Sequence, residues 1–214
     1  MFVEFLQTYL GAGLHGLPIA IAECNYEQIE LIALELGQGL GISGRPVLLR
    51  DLESDPRKAL AGTWGIVTTD CHRSEVAEMA SCVGAPVYRV AMDPDFPQRL
   101  ALFARHGPLV MVVRDRRFAP VFLRLLRQMS VPPGAVDHFK IVEPSEARAA
   151  FRETGQGGSV YLSPLVAKDL VGRVPDHLRR VDGQWHLAPG TLARLRARLA
   201  LDLALRHHQG SGRA

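Results

Sequence analysis

Short apolar runs recur along this chain, and each gives way to a small polar cluster before the hydrophobic period lengthens to that of a helix. Four stand out: IAIAECN (Ile19 to Asn25), WGIVTTDCH (Trp64 to His72), VYRVAMDPD (Val87 to Asp95) and SVYLSPL (Ser159 to Leu165). Strand-like runs that alternate with helical periodicity predict a parallel sheet covered by helices. The carboxyl ends of such strands lie along one edge, where α/β folds bind small molecules. On that reading Glu23, Asn25, Thr68, Thr69, Asp70, His72, Asp93 and Ser163 are candidates to line a shared crevice.

The first series opens with a helix over about residues 2–14, where Phe2, Phe5, Leu6, Tyr9 and Leu10 fall at helical spacing before Gly11 and Gly13. A strand over 19–24 leads to a helix over 26–40 with the stripe Ile29, Ile32, Ala33, Leu36 and Leu40, ended by Gly41. Next come a strand over 45–49, a short helix over 55–61 with Pro56 in its first turn, and a strand over 65–69. A helix over 74–81, a strand over 86–92 and a helix over 96–104, with Asp95 as cap, complete the series.

From Pro108 the alternation restarts. Strands are expected over 109–113, 138–142, 160–163 and near 178–181, with helices over 119–129, 145–153 and 165–171. A turn at Asp182 and Gly183 then precedes the basic last helix. Two consecutive α/β series predict two lobes with a hinge near residues 93–108. The division is a linker-like helix at 1–16, a first lobe at 17–95, a second at 96–188, a basic helix at 189–208 and a disordered tail at 209–214.

Composition narrows the classes. The 214 residues are 47% hydrophobic, enough for a real core. The 25 basic and 22 acidic residues are interspersed, which argues against a dedicated nucleic-acid surface. Three cysteines, Cys24, Cys71 and Cys82, form no C-x-x-C pair, so neither a disulfide framework nor a structural zinc site is expected. No run is long enough for a membrane span, and the start lacks a secretory signal. A cytoplasmic protein without a metal or other cofactor is the resulting expectation.

Several clusters carry candidate chemistry. Glu23, Cys24 and Asn25 precede a helix whose N–H groups attract anions, so they either cradle a ligand or serve as a helix cap. Thr68, Thr69, Asp70, Cys71 and His72 form the densest polar group, able to hold a carboxylate, phosphate or ammonium, or to cap the next helix. A Cys71–His72 nucleophile pair is weak, because adjacent helical positions do not face each other. Asp93 contributes a carboxylate or fixes a turn; Arg114 is a plausible anion partner or part of a solvated RDRR loop; Ser163 offers a hydroxyl or a cap. The final helix, with Arg194, Arg196, Arg198 and Arg206, reads as packing on the body or at a dimer interface. TGQGGS lacks the Lys-Ser/Thr of a phosphate loop, and no G-x-G-x-x-G, H-E-x-x-H or G-x-S-x-G occurs.

Glu23, Cys24, Asn25, Glu27 and Gln28, followed by Thr68, Thr69, His72, Glu75 and Val76, resemble the E-C-N-x-E-Q and T-T-x-x-H motifs of the effector-sensing part of certain GntR-type transcriptional regulators. The likeness covers about residues 2–185. It implies a two-lobed fold like that of periplasmic solute-binding proteins and a small polar metabolite bound between the lobes. Glu23, Asn25, Thr68, Thr69, Asp70, His72 and Asp93 would contact it from the first lobe, Arg114 and Ser163 from the second. The family's winged-helix DNA-binding domain has no counterpart here, so DNA contact is expected only through such a missing N-terminal domain, with a homodimer possible. The rival reading is a racemase of the aspartate/glutamate type, which needs a thiol in each lobe. A transporter's solute-binding component conflicts with the absent export signal.

Overall fold

The computed structural model of the chain describes residues 14, 16–128, 131–181 and 187–211. The expected opening helix, apart from Leu14, and the Asp182–Gly183 turn lie outside them. The chain divides into two compact units. One takes the chain through Cys24, Ile32–Met92 and the residues from Leu187 on; the other takes Asn25–Leu31 and Asp93–His186. The final helix and residues 25–31 thus group differently from a division by linear order.

The first unit is built on β1 (Ile19–Glu23), β2 (Arg45–Leu48), β3 (Gly65–Thr69) and β4 (Val87–Val90), all parallel in the order β2-β1-β3-β4. Every residue of β1 and β3 is buried, which is why their sequences, IAIAE and GIVTT, are apolar on both faces up to the last residues. Helix α1 (Tyr26–Leu40) connects β1 to β2; α2 (Leu49–Ser54) and α3 (Pro56–Ala59) connect β2 to β3; α4 (Arg73–Ala80) connects β3 to β4. Gly41, at φ 67°, ends α1 in the left-handed region that favours glycine, and the N–H groups of Gly41 and Ile42 reach back to the carbonyls of Gly37 and Leu36. Ala20, Ala22, Val47, Leu52, Ile66 and Val76 form the core on one face of the sheet.

The second unit repeats the plan. Strands β5 (Leu109–Val112), β6 (Phe139–Val142), β7 (Ser159–Leu162) and β8 (Arg179–Arg180) are parallel in the order β6-β5-β7-β8. Its helices are α5 (Asp95–Ala104), α6 (Phe118–Gln128), α7 (Pro133–Val136), α8 (Ala147–Thr154) and α9 (Pro164–Leu170). Val110, Val112, Val142, Phe151, Val160 and Leu170 belong to one core cluster. Phe122 stacks on Phe118 and meets Phe139 edge-on, and Phe96 meets Tyr161 edge-on.

The last helix, α10 (Thr191–Ser211), belongs to the first unit. Leu195, Leu199, Ala200 and Ala204 are buried, Tyr88 donates a hydrogen bond to Asp202 at 3.0 Å, and the Arg206 guanidinium lies 4.9 Å from the centre of the Trp64 ring. The tail expected from residue 209 is therefore helical through Ser211. Among the described residues no helix is long and apolar enough to cross a membrane.

Both sheets share one topological consequence. In each, the chain leaves its second-position strand outward, then returns to the strand on the other side, so β1 and β3 in the first unit and β5 and β7 in the second flank a switch point. Crevices open at the carboxyl ends of such strand pairs, because the two loops diverge to opposite faces.

Candidate functional site

At the β1/β3 switch point of the first unit the structure assembles Glu23, Thr68, Thr69 and His72. Glu23 ends β1 in register with the core and is fully buried. Its Oε1 accepts the Thr69 N–H at 2.6 Å and the Thr68 hydroxyl at 3.2 Å. Its Oε2 has no hydrogen-bond partner and faces Nε2 of His72 at 3.6 Å. Burial raises the Glu23 carboxyl above its ordinary range, and the Thr69 N–H, the threonine hydroxyls and His72 draw it back only in part.

His72 is held from several sides. Its Nδ1 lies 3.1 Å from Glu75 Oε2, one helical turn on. A hydrogen bond with the Cys24 side chain is the strongest influence on the ring; together with the Glu23 charge and the Glu75 contact it outweighs partial burial and pushes the imidazole up to about 9. In sequence, Cys71 is the thiol next to His72, a weak pairing on helical geometry. The folded chain instead brings His72 the thiol of Cys24 from the neighbouring strand end, while residue Cys71 is exposed. Partial desolvation and the carboxylates of Glu23 and Asp70 raise the Cys71 thiol, the opposite of what activation requires.

Asp70 turns out of this group to pair with Arg89 at 3.0 Å, both about half exposed. It neither caps α4 nor joins Glu23: His72 occupies the cap position without a side-chain cap bond.

The second unit holds the other candidates, Asn25, Asp93, Arg114 and Ser163, although Asn25 and Asp93 were expected in the first lobe. Asn25 is fully buried and caps α1, its Oδ1 accepting the Gln28 N–H at 2.9 Å and its Nδ2 donating to Gln28 Oε1 at 2.7 Å. The anion attracted by this helix start is internal: Asp115 Oδ2 accepts the Tyr26 N–H at 2.9 Å. Next to it, buried Glu27 accepts the N–H groups of Arg114 and Asp115 at 2.7 and 3.2 Å. Burial raises the Glu27 carboxyl, and the Ser163 hydroxyl, then the Arg114 and Asp115 amides, partly offset this. Ser163 also caps α9 by accepting the Leu165 N–H at 3.2 Å. Asp93 acts as a fastener for α5, accepting the Asp95 N–H at 2.9 Å and pairing with Arg99 at 3.0 Å. Asp95, expected to be the cap, is the first helical residue.

A cavity of about 580 Å³ opens at the carboxyl ends of β5 and β6. It is lined by Tyr26, Glu27, Glu30, Glu143 and the Arg114–Arg117 run. Arg117 is locked: it forms a forked pair with Asp115 (Nε–Oδ1 2.9 Å, Nη2–Oδ2 2.9 Å) and lies 5.2 Å from the Tyr26 ring centre. Arg114 meets Glu30 at 2.6 Å in an exposed pair, and Arg116 meets Glu146 at 3.3 Å. Glu27 and Asp115 were missed in the sequence; as acidic residues at a helix start and in a basic loop they look like ordinary surface charges.

Burial opposes the Asp115 charge, but Arg117 and the amide of Tyr26 overcome it, and the carboxyl sits below its ordinary 3.8. A depressed folded pKa stabilises above the unfolded value and loses that effect as pH falls through the folded one. The stability gap between the parent chain and Asp115→Asn is therefore expected to be full at neutral pH and to shrink below about pH 4, as read by urea unfolding across that range.

No protein-family model and no curated protein matches this chain.

Proposed function

We propose that this chain is the effector-sensing part of a GntR-like transcriptional regulator and that its second unit binds a small polar metabolite at the carboxyl end of β5. The cavity there carries the reading: its volume falls within the range of small-ligand sites, it lies at the carboxyl ends of neighbouring parallel strands, and its rim mixes guanidinium and carboxylate groups. Such a rim suits a ligand with both an anionic and a cationic group. Arg114 is the anion contact, because its exposed pair with Glu30 holds it by only about 0–1 kcal/mol and yields to a ligand carboxylate. Arg117, tied to Asp115 and seated by Tyr26, shapes the wall instead.

The motif resemblance supports the regulator class, and with it a solute-binding-protein-like fold. In that class the ligand acts by binding one conformation better than another, and the difference in affinity sets the size of the response. The racemase alternative gains no support, since Cys24, Cys71 and Cys82 all fall in the first unit.

A thermal-shift screen of amino acids, amines, nucleosides and organic acids checks the proposal. At least one compound should raise the melting temperature, and Arg114→Met should abolish its shift. If nothing stabilises the chain, or the shift survives in Arg114→Met, the ligand does not bind here.

A further inference from the structure

We propose that Glu23, Cys24 and His72 form a binding site for a divalent transition-metal ion, zinc by its donor chemistry. One ligand atom from each of the three lies within 4.8 Å of the others. Ligands around a tetrahedral zinc ion, bound at roughly 2.0–2.3 Å, lie roughly 3.3–3.8 Å apart, so small side-chain rotations close the set.

Three features beyond proximity point to an ion. The first is the divided role of the Glu23 carboxylate. Thr68 and Thr69 hold Oε1, which fixes the group, and leave the fully buried Oε2 aimed toward His72 without a hydrogen bond. A buried carboxylate oxygen is costly unless a cation meets it; the His72 ring 3.6 Å away plays that part on its own, and a bound ion would take it over at closer range. The second is the support behind His72. Glu75 holds Nδ1, so Nε2 is the nitrogen presented to Glu23, and a carboxylate behind the distal nitrogen is the arrangement that orients metal-binding histidines. The third is the donor set: thiolate, imidazole and carboxylate suit zinc or cobalt rather than magnesium or calcium, and the two anions balance a dication.

Three protein ligands leave a fourth position for water or a small molecule, as in zinc sites that bind or activate something, unlike closed structural ones. Spacing along the sequence hides this group, because its members come from two different strand ends. Cys24 and His72, with Glu75 behind the ring, also form a thiol–imidazole–carboxylate chain like that of a nucleophile with its base and orienting acid. Glu23 favours the metal, since its buried Oε2, without a hydrogen bond, gives a cation a third donor that a thiol–imidazole nucleophile does not need. The site belongs to the first unit and does not depend on the effector reading of the second.

The test uses the full chain, stripped with a chelator and titrated with Co²⁺ as the probe. One equivalent should bind with a thiolate-to-cobalt charge-transfer band and tetrahedral ligand-field absorption, and Zn²⁺ should displace it and raise the melting temperature. Cys24→Ser should remove the charge-transfer band, and His72→Asn should abolish tight binding. Glu75→Gln should weaken binding about 10-fold. Cys71→Ser and Cys82→Ser should keep the full spectrum, with circular dichroism confirming that each variant is folded. No charge-transfer band in the parent chain, a band that persists in Cys24→Ser, or one lost in Cys71→Ser overturns the assignment. So does rapid alkylation of Cys24 by iodoacetamide that Zn²⁺ leaves unchanged, which identifies a nucleophile instead.

Discussion

Replacing Phe122 by alanine is expected to destabilise the second unit by about 3–5 kcal/mol, the usual cost of emptying a buried phenylalanine site. Phe122 has no solvent exposure; its ring lies 5.3 Å from that of Phe118 and 5.9 Å from that of Phe139, so α6 is fastened to β6 through it. The cost combines lost transfer energy with the cavity that the two remaining rings, Phe118 and Phe139, cannot collapse to fill. Against a domain stability of roughly 5–15 kcal/mol, this is a large fraction. Urea unfolding followed by circular dichroism gives the measurement, with Leu102→Ala, at a position 54% exposed, as the comparison. The exposed substitution should shift stability by no more than about 0.5 kcal/mol. Equal effects for the two would mean that the aromatic cluster is not packed as described.

Glu27→Ala is expected to cost about 2–4 kcal/mol, whereas Glu27→Gln should cost less than half as much. The alanine variant leaves the Arg114 and Asp115 amides without their acceptor, and each orphaned buried donor costs about 1–3 kcal/mol. Glutamine keeps a carbonyl oxygen with two lone pairs, enough for both. It also removes a charge that burial already disfavours at this position. Both variants should unfold in one measurable transition whose midpoint orders them: parent, glutamine, alanine. A glutamine variant as unstable as the alanine one would show that the charge itself, and not the acceptor, holds the loop after β5.

Glu27 also marks the limit of what can be read in one dimension. In sequence it is one acidic residue in a helix first turn, where acidic residues are common because they favour the helix dipole. Only the return of the β5 loop to the start of α1 turns it into the acceptor for two amides. Asp115 is hidden in the same way inside RDRR. Both become visible as site-forming groups once the strand order β6-β5-β7-β8 is known.

The elements themselves were legible where the local signal was strong. Helix α1 has the expected limits because a long apolar stripe is bounded by a capping Asn25 and a left-handed Gly41. Strand β3 likewise matches residue for residue, since its buried apolar run is bounded by a turn before it and by polar Thr68 and Thr69 at its end. Short elements were less clear. Helix α2 was absorbed into the end of a strand and a loop, because six residues with Leu49 and Leu52 buried show too little of a helical period to register. Helix α3 is shorter than the helix expected over 55–61: Asp55 caps the Lys58 amide at its start, and the Leu60 amide closes it by returning to Pro56.

The sequence by itself determined that this chain alternates strand and helix, that its strands are parallel and its central strands buried, and that polar residues collect at their carboxyl ends. Those properties depend on periodicity and on residues close together in the chain. The tertiary structure alone decided which polar residues meet. Strand order and register bring Glu23, Cys24 and His72 together, turn Asp70 outward to Arg89, and set Glu27 against the loop after β5. Such pairings are contacts between distant segments, and they exist only after burial of the strands' apolar faces has fixed their neighbours.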